Sequence, residues 1–233
     1  MLAVMGAMAE EVALLREEMT GVSEDRHAGI TVAKGDFKGT PIALAQCGIG
    51  KVNAAICTQM LATLYQPRGL VFSGVAGGLL PNMRVGDLVI ASHLIQFDID
   101  LTAFGRRHGE LPDSDRMIQS CPKLVGKPAD AFDAAFDGAD CPSLMIGTVV
   151  SGDRFVEDSK TLRWLQREFG ALATEMEGAA VGYTCQLNAI PFVVTRGLSD
   201  TANESAPSDF KDNLHKVCQN SFRLMEALIP TLA

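Results

Sequence analysis

The chain has 233 residues, of which 47% are hydrophobic and 21% are charged, and its formal net charge is −8. This length and composition are typical of a folded domain with a sizeable core, and they exclude a disordered chain. Lysine and arginine are dispersed among a larger number of acids, which disfavours nucleic acid and anionic membranes as partners.

The apolar runs are too short to span a bilayer, which takes roughly 20 residues. The start of the chain meets Glu10 and Glu11 and carries no basic segment, so it does not resemble a secretory signal. We therefore expect a cytoplasmic protein. The six cysteines form no C-x-x-C pair and the four histidines are scattered, so we expect no disulfide, no metal and no cofactor.

In chain order, apolar strand-like runs alternate with segments of helical periodicity. The runs predict strands at 2–8, 30–37, 41–48, 69–74, 85–92, 145–152, 171–175 and 191–200, with a glycine-rich turn at 75–78. The periodic segments predict helices at 9–19, 48–65 (opened by a glycine turn), 128–136, 157–169, 176–188 and 208–229. Residues 96–122 are polar and predict a long excursion with little regular structure, which in compact domains is often functional.

This alternation predicts an α/β fold in which a single domain, spanning residues 1–233, has a mixed, mainly parallel central sheet flanked by helices. Ligands of such sheets bind beyond the carboxyl ends of the strands. The residues that directly follow each apolar run are therefore the candidates for a functional site.

Common phosphate-binding motifs do not fit the glycine turn that opens the second helix. Gly48-Ile49-Gly50 begins like a dinucleotide fingerprint, but Asn53 stands at the third glycine position. The phosphate-loop pattern fails because Val52 follows Lys51 where Ser or Thr is required. The serine-hydrolase motif G-x-S-x-G is absent as well. We interpret the turn as one that packs a helix against the sheet.

Acidic residues stand at the ends of three predicted strands: Glu10 and Glu11, Glu175 and Glu177, and Asp200. Each alone is explained by the preference of carboxylates for helix N-termini. Carboxylates near a core are costly unless they are paired, hydrogen-bonded or open to a cleft, so three such strand ends indicate a polar site. Residues i and i+2 of a helix do not face the same side, so only one of Glu175 and Glu177 is expected to face that site. The spacing alone does not name a reaction.

Eight segments, spread over nearly the whole chain, together carry a family resemblance. They are MGAMAEEVALL (5–15), CGIGKVNAA (47–55), GVAGGL (74–79), VGDLVI (85–90), DLTAFG (100–105), VSGDRFV (150–156), EMEGAA (175–180) and PFVVTRGLSDTA (191–202). In order and approximate spacing they resemble the bacterial 5′-methylthioadenosine/S-adenosylhomocysteine nucleosidases of the purine nucleoside phosphorylase-like superfamily. The resemblance implies hydrolysis of the N-glycosidic bond of 5′-methylthioadenosine, S-adenosylhomocysteine and related 5′-substituted adenosines, with release of adenine.

By this resemblance, three carboxylates carry the chemistry. Glu11 orients and deprotonates the attacking water. Glu177, with the backbone of Met176 alongside, holds the 2′- and 3′-hydroxyls of the ribose. Asp200, placed by Ser199, protonates or hydrogen-bonds N7 of the purine, and an acid suits a 6-aminopurine whose N7 must gain a proton.

The resemblance also implies contacts that bind the substrate without taking part in the chemistry. Phe155 stacks on the adenine, and the backbone of Val156 hydrogen-bonds its edge. Met8 and Phe210 line the sugar and the 5′ pocket, and Ala76-Gly77 contacts the substrate as well.

A homodimer is implied too, because in the family a segment of one subunit reaches the 5′ pocket of its neighbour. In this chain that segment lies on the long excursion and carries Leu101, Phe104 and Pro112. Three departures concern the same region: Val75 stands where a serine is common, Gln96-Phe97-Asp98 replaces a tyrosine/histidine pairing, and Arg106-Arg107 replaces a tyrosine and an acid. They leave the preferred 5′ group open.

Other functions remain open at this point. One is a nucleosidase that prefers 6-amino-6-deoxyfutalosine, and another is a phosphate-dependent purine nucleoside phosphorylase. A phosphorylase needs basic or hydroxyl ligands for phosphate, and Glu11 at the attack position would repel that anion. From a different class, a non-catalytic nucleoside-binding module is disfavoured because Glu11 and Asp200 are both present.

Overall fold

The computed structural model describes residues 1–138 and 141–232. Its strands are β1 (Leu2–Gly6), β2 (Thr20–His27), β3 (Ile30–Phe37), β4 (Thr40–Gln46), β5 (Leu70–Gly78), β6 (Leu88–Gln96), β7 (Ile118–Gln119), β8 (Leu144–Ser151), β9 (Ala171–Glu175) and β10 (Phe192–Asp200). Its helices are α1 (Ala9–Glu18), α2 (Lys51–Tyr65), α3 (Pro122–Val125), α4 (Lys127–Ala135), α5 (Ser159–Phe169), α6 (Gly178–Leu187) and α7 (Ala206–Thr231), and a 3-10 helix covers Thr102–Phe104.

All of these strands belong to one mixed sheet, which pairs in the order β10–β6–β8–β9–β5–β1–β4–β3–β2, with β7 beside β6. β10 also pairs with β5, so the strands β5, β10, β6, β8 and β9 close into a ring. The pairings β4–β1, β1–β5 and β5–β10 are parallel, whereas β2–β3, β3–β4 and β10–β6 are antiparallel. The prediction of an α/β domain with a mixed central sheet is confirmed.

β5 is the strand at which this ring and the rest of the sheet meet. Val71 of β5 pairs with Val4 of β1 on one side and with Val193 of β10 on the other. Farther along, Gly77 of β5 pairs with Thr174 of β9. The carboxyl ends of β1, β9 and β10 therefore lie close together around β5.

Two of the differences from the sequence prediction have a clear physical reason. Residues 75–78, predicted as a turn, continue β5, because they pair with β10 and β9. Glycine in this strand instead lets side chains from neighbouring elements approach its backbone. A Cβ atom on Gly74 would lie 2.6 Å from Arg196 Nη1 and 2.7 Å from Glu11 Oε1. β2 was not predicted, because it is mostly exposed at the edge of the sheet and has no apolar alternation.

Successive residues of the central strands point to opposite faces of the sheet, and helices cover both faces. On one face, Met5 and Phe72 pack with buried residues of α2 and α6, such as Leu61. On the other face, Val4 packs with buried residues of α1 and α7, such as Leu224. No helix within the described ranges is both long and apolar enough to cross a membrane.

The contact between β10 and α7 gives a first prediction. A Cβ atom on Gly197 would lie 2.5 Å from Val217 Cγ1 and 2.8 Å from Ser221 Oγ, so Gly197→Ala forces the helix away from the strand. We expect the free energy of unfolding to fall by about 1–3 kcal/mol in chemical denaturation.

Gly126→Ala is the matched control, because a Cβ atom there meets open space and the backbone is in the right-handed helical region. Its free energy of unfolding should stay close to that of the wild type. Equal stability of the two variants would contradict the packing described for β10 and α7.

Candidate active site

One cavity opens where β1, β5, β9 and β10 end. Its lining residues are Ala7, Met8, Glu11, Ile49, Val75, Ala76, Gly77, Arg154, Phe155, Val156, Thr174, Glu175, Met176, Glu177, Ser199, Asp200 and Phe210. The fold thus brings together all the sequence-predicted site residues apart from Leu101, Phe104 and Pro112.

Glu11 lies in the first turn of α1, directly after β1, and is held by backbone amides. Its Oε2 accepts hydrogen bonds from the amides of Ala7 (2.6 Å) and Met8 (2.9 Å), and its Oε1 accepts one from the amide of Val75 (2.9 Å). Burial raises the pKa of the Glu11 carboxyl, although the charge of Arg196 and these amides lower it in part. The carboxylate is therefore fixed in place and is more basic than an exposed glutamate.

Glu175 lines the cavity and forms a buried ion pair with Arg196. Arg196 Nη2 donates to Glu175 Oε2 at 2.5 Å, and the side chains are 1% and 2% exposed. Glu175 Oε2 also accepts from the amides of Glu177 (3.1 Å) and Gly178 (2.7 Å), and the hydroxyl of Ser151 donates to Glu175 Oε1. Glu175 is thus saturated with protein donors and stabilises the start of α6, where a negative charge is favoured.

The Arg196 guanidinium lies over the ring of Phe72, with 4.1 Å between its central carbon and the ring centroid. Burial alone would lower the pKa of Arg196, but the charges of Glu175, Glu177 and Glu11 raise it, so the group stays cationic. Arg196 was not among the residues predicted to form the site. A charged residue in the middle of the apolar run 191–198 was the available signal, since a buried arginine requires an acidic partner.

Glu177 directly precedes α6 and lines the cavity. The amide of Gly50 donates to Glu177 Oε1 at 2.7 Å. Burial, and then the nearby charge of Glu175, raise the pKa of Glu177 to about 8. Gly50 has a φ of +97°, a conformation that favours glycine. The turn before α2 therefore needs a glycine at the position whose amide binds Glu177.

Asp200 ends β10 and is held by two short hydrogen bonds. Ser199 Oγ donates to Asp200 Oδ2, and the amide of Ala202 donates to Asp200 Oδ1, both at 2.8 Å. Burial raises the pKa of the Asp200 carboxyl, against the opposing effect of these donors. Gly77 makes room for this side chain, because a Cβ atom there would lie 2.8 Å from Asp200 Oδ1.

Aromatic and apolar side chains complete the cavity beside these acids. The rings of Phe155 and Phe210 meet edge to face, with their centroids 5.9 Å apart, and Phe155 is 41% exposed. An exposed phenyl ring at the wall of a cavity offers a stacking surface for a planar ligand. Val156 is buried behind it, and Met8 and Met176 line the same space.

Leu101, Phe104 and Pro112 do not line the cavity within this chain. Leu101 is partly buried, Pro112 is exposed and Phe104 is 82% exposed. Their expected contact is with a second subunit, and that remains a prediction. Within residues 1–138 and 141–232, no group of three His, Cys, Asp or Glu side chains is arranged to hold a metal ion.

The model of the phosphorylase superfamily matches residues 1–230. A 5′-methylthioadenosine/S-adenosylhomocysteine nucleosidase from Geobacillus kaustophilus (strain HTA426) is 37% identical over 231 residues, which cover 99% of this chain and 97% of the relative.

Two solved structures illustrate the structural match. The 5′-methylthioadenosine/S-adenosylhomocysteine nucleosidase from Neisseria meningitidis, in complex with methylthio-immucillin-A, gives a TM-score of 0.93 at 35% identity and covers 99% of this chain and 98% of that one. The native futalosine hydrolase of Helicobacter pylori strain 26695 gives 0.93 at 31% identity, with coverages of 99% and 97%. This chain therefore belongs to the phosphorylase superfamily and, within it, to the family of 5′-methylthioadenosine/S-adenosylhomocysteine nucleosidases.

Proposed function

We propose that this protein hydrolyses the N-glycosidic bond of 5′-methylthioadenosine, S-adenosylhomocysteine and related 5′-substituted adenosines, and so releases adenine. The observation that carries the proposal is one cavity that presents three carboxyl groups, Glu11, Glu177 and Asp200, each held by different donors, besides Glu175, which is paired with Arg196. The names of its relatives and the methylthio-immucillin-A bound in the Neisseria structure support the same substrate class.

Asp200 is suited to protonate the leaving base. Cleavage of the bond between ribose and adenine builds positive charge on the sugar, and adenine leaves poorly as an anion. An acid at N7 neutralises the base as it departs, and proton transfer of this kind contributes about 10²–10⁴ in rate. The raised pKa of Asp200 favours its protonated form, and the Ser199 hydroxyl and the Ala202 amide hold the carboxyl in one orientation.

Glu11 is suited to activate water on the other face of the sugar. An ionised carboxylate has about four acceptor positions, and backbone amides occupy three of those on Glu11. The remaining position can accept a proton from a water that attacks the sugar carbon. Two carboxyl groups that serve the leaving group and the water separately are also how sugar hydrolases divide the work.

Glu177 is suited to bind the ribose. Gly50 occupies its Oε1, and Oε2 is available to the 2′- and 3′-hydroxyls, which can donate two hydrogen bonds that become charge-assisted when Glu177 is ionised. Phe155 would stack on the adenine and Val156 would bind its edge, with Met8, Met176, Ala76, Gly77 and Phe210 around the ribose and the 5′ group. The buried Arg196 compensates the negative charge that Glu175 and Glu177 concentrate there.

A phosphate-dependent reaction is less compatible with this cavity. Arg154 is the cationic residue among those that line it, and its guanidinium pairs with Asp158 at 3.3 Å. Arg196 lies beneath the cavity and is paired with Glu175. Glu11 at the attack position would repel a phosphate that approached the sugar.

The preferred 5′ substituent distinguishes the proposed function from a second candidate. The likeness to the Helicobacter futalosine hydrolase keeps a preference for 6-amino-6-deoxyfutalosine as the second candidate. We also propose a cytoplasmic homodimer in which Leu101, Phe104 and Pro112 reach the partner's 5′ pocket. A fully active monomer in sedimentation would contradict that arrangement.

One substrate panel tests the proposed function. The protein is incubated with 5′-methylthioadenosine, S-adenosylhomocysteine, 5′-deoxyadenosine, aminofutalosine and inosine, with and without phosphate, and free base is followed by chromatography. We expect adenine from the 5′-thio nucleosides without phosphate. Strict dependence on phosphate would favour the phosphorylase. A preference for aminofutalosine would favour the second candidate. If no base is released from any substrate, a nucleoside-binding module is favoured.

The role of Asp200 is tested by Asp200→Asn, which keeps the shape of the side chain but removes the acid. We expect kcat/KM to fall by about 10²–10⁴-fold, because adenine must then leave without a proton donor. Asp212→Asn is the control, since Asp212 is exposed on α7. Near-wild-type activity of Asp200→Asn would refute this role.

The role of Glu11 is tested by Glu11→Gln, with the exposed neighbour Glu10 changed in the same way as the control. The amide of glutamine cannot take a proton from water, so we expect a loss of similar size in steady-state turnover. Glu10→Gln should retain wild-type rates. If both variants turn over at equal rates, Glu11 does not activate the water.

The pKa of Glu177 gives a prediction for stability. It is raised from 4.5 to about 8, so the folded protein retains a proton that the unfolded chain releases. This contribution to stability is complete below pH about 4.5 and is lost as the pH rises through 8. Glu177→Gln removes the titration, so its free energy of unfolding relative to the wild type should rise between these pH values.

Urea unfolding at several pH values measures this difference. Glu10→Gln serves as the control and should keep the wild-type pH dependence. An identical pH dependence in the wild type and Glu177→Gln would show that Glu177 is ionised in the free protein at neutral pH.

A further inference from the structure

A partly buried ion pair lies at the edge of the cavity and has no part in the proposed chemistry. Lys51 Nζ donates to Asp98 Oδ1 at 2.6 Å and to Gln96 Oε1 at 3.3 Å. The side chains of Lys51 and Asp98 are 15% and 27% exposed, so the pair is less accessible than the exposed pairs whose contribution is small.

Two hydrogen bonds from backbone amides connect this pair to a third residue, Asp153. The amide of Lys51 donates to Asp153 Oδ1 at 2.8 Å, and the amide of Asp153 donates to Asp98 Oδ2 at 3.0 Å. Asp153 also serves as a cap for α2, whose own N-cap residue, Gly50, has no side chain to do so. We call Lys51, Asp98 and Asp153 the clamp. It joins three segments: the start of α2, the chain after β6 and the chain after β8.

The clamp holds two walls of the cavity relative to each other. Next to Lys51, the amide of Gly50 donates to Glu177 Oε1 at 2.7 Å, on the side assigned to ribose. A Cβ atom on Gly50 would lie only 3.2 Å from Asp153 Oδ1, so the turn packs closely on the clamp. Two residues after Asp153, Phe155 lines the side assigned to adenine.

We propose that Lys51 and Asp98 are positioning residues, which hold the Gly50 amide on Glu177 and fix the segment that carries Phe155. The inference rests on the proposed function, because it concerns how that cavity binds an adenine nucleoside. It also gives a role to Asp98, one of the residues at which the chain departs from the family pattern.

Lys51→Met tests the inference, because it removes the ammonium group but keeps most of the apolar stem. Glu177 and Phe155 would bind the nucleoside in both the ground state and the transition state. We therefore expect KM for 5′-methylthioadenosine to rise by about tenfold or more, with kcat within about threefold of the wild type. Lys51→Arg keeps the charge and should restore much of the affinity.

A shift of the pH profile of KM distinguishes a positioning role of the clamp from a general loss of structure. The Gly50 amide lowers the pKa of Glu177, so loss of that contact raises this pKa. Because ionised Glu177 binds the ribose hydroxyls more tightly, KM falls as the pH rises through the pKa of Glu177. In Lys51→Met this fall in KM should occur at a higher pH. The other groups that act on Glu177 are Glu175 of β9, Arg196 of β10, Glu11 of α1 and Cys47 after β4. Lys51→Met leaves all of them in place.

Lys34→Met is the matched control, because it breaks a lysine–aspartate pair of similar length (2.7 Å, to Asp25) at the far edge of the sheet. It should leave KM and the pH profile unchanged. Asp98→Asn is the second clamp variant and serves if Lys51→Met does not fold, with the same rise in KM expected.

The outcomes separate this inference from the proposed function. A wild-type protein that releases no adenine from any nucleoside overturns the proposed function, and the inference falls with it. An active wild type, with KM and pH profile unchanged in the folded clamp variants, overturns the inference alone. A raised KM with a shifted profile, absent in Lys34→Met, supports it.

Discussion

The ion pair between Arg196 and Glu175 is the interaction on which the rest of the cavity depends. Both side chains are almost fully buried, and two further glutamates, Glu11 and Glu177, contribute negative charge around the same guanidinium. Without that cation, three carboxylates would lie together in a medium that stabilises charge poorly. Removing one partner of a buried pair typically costs about 3–5 kcal/mol, because the other charge is left uncompensated.

Glycine residues make this arrangement possible. Gly74 lets both Arg196 and Glu11 approach the backbone of β5, and Gly77 does the same for Asp200. β5 is also the strand that connects the closed ring of strands to the rest of the sheet. The same strand therefore supports the fold and leaves space for the charged groups at its end.

The three carboxyl groups that face the cavity have different surroundings and therefore different properties. Glu11 is bound by three backbone amides, Glu177 by a single amide beside another acid, and Asp200 by a hydroxyl and an amide. Burial raises the pKa of each, but the surrounding donors and charges differ. Carboxyl groups in different environments can divide acid and base functions at one pH, which is what hydrolysis of a nucleoside requires.

Much of this arrangement could be predicted from the sequence. Hydropathy located the strands of the central sheet because their side chains are buried, and the strand ends pointed to acids at 10, 11, 175, 177 and 200. The family resemblance then selected Glu11, Glu177 and Asp200 among them. Arg196 was missed because it lies inside an apolar run, and its partner is close only after β9 and β10 meet the same ring. The clamp was missed for a similar reason, since Lys51, Asp98 and Asp153 are far apart in sequence.

Hydrolysis in water enriched in oxygen-18 tests the central claim most directly. The protein is supplied with 5′-methylthioadenosine and phosphate together, and the sugar product is analysed by mass spectrometry. We predict free methylthioribose that carries one oxygen-18 atom, with unlabelled adenine. A sugar 1-phosphate without the label would contradict it.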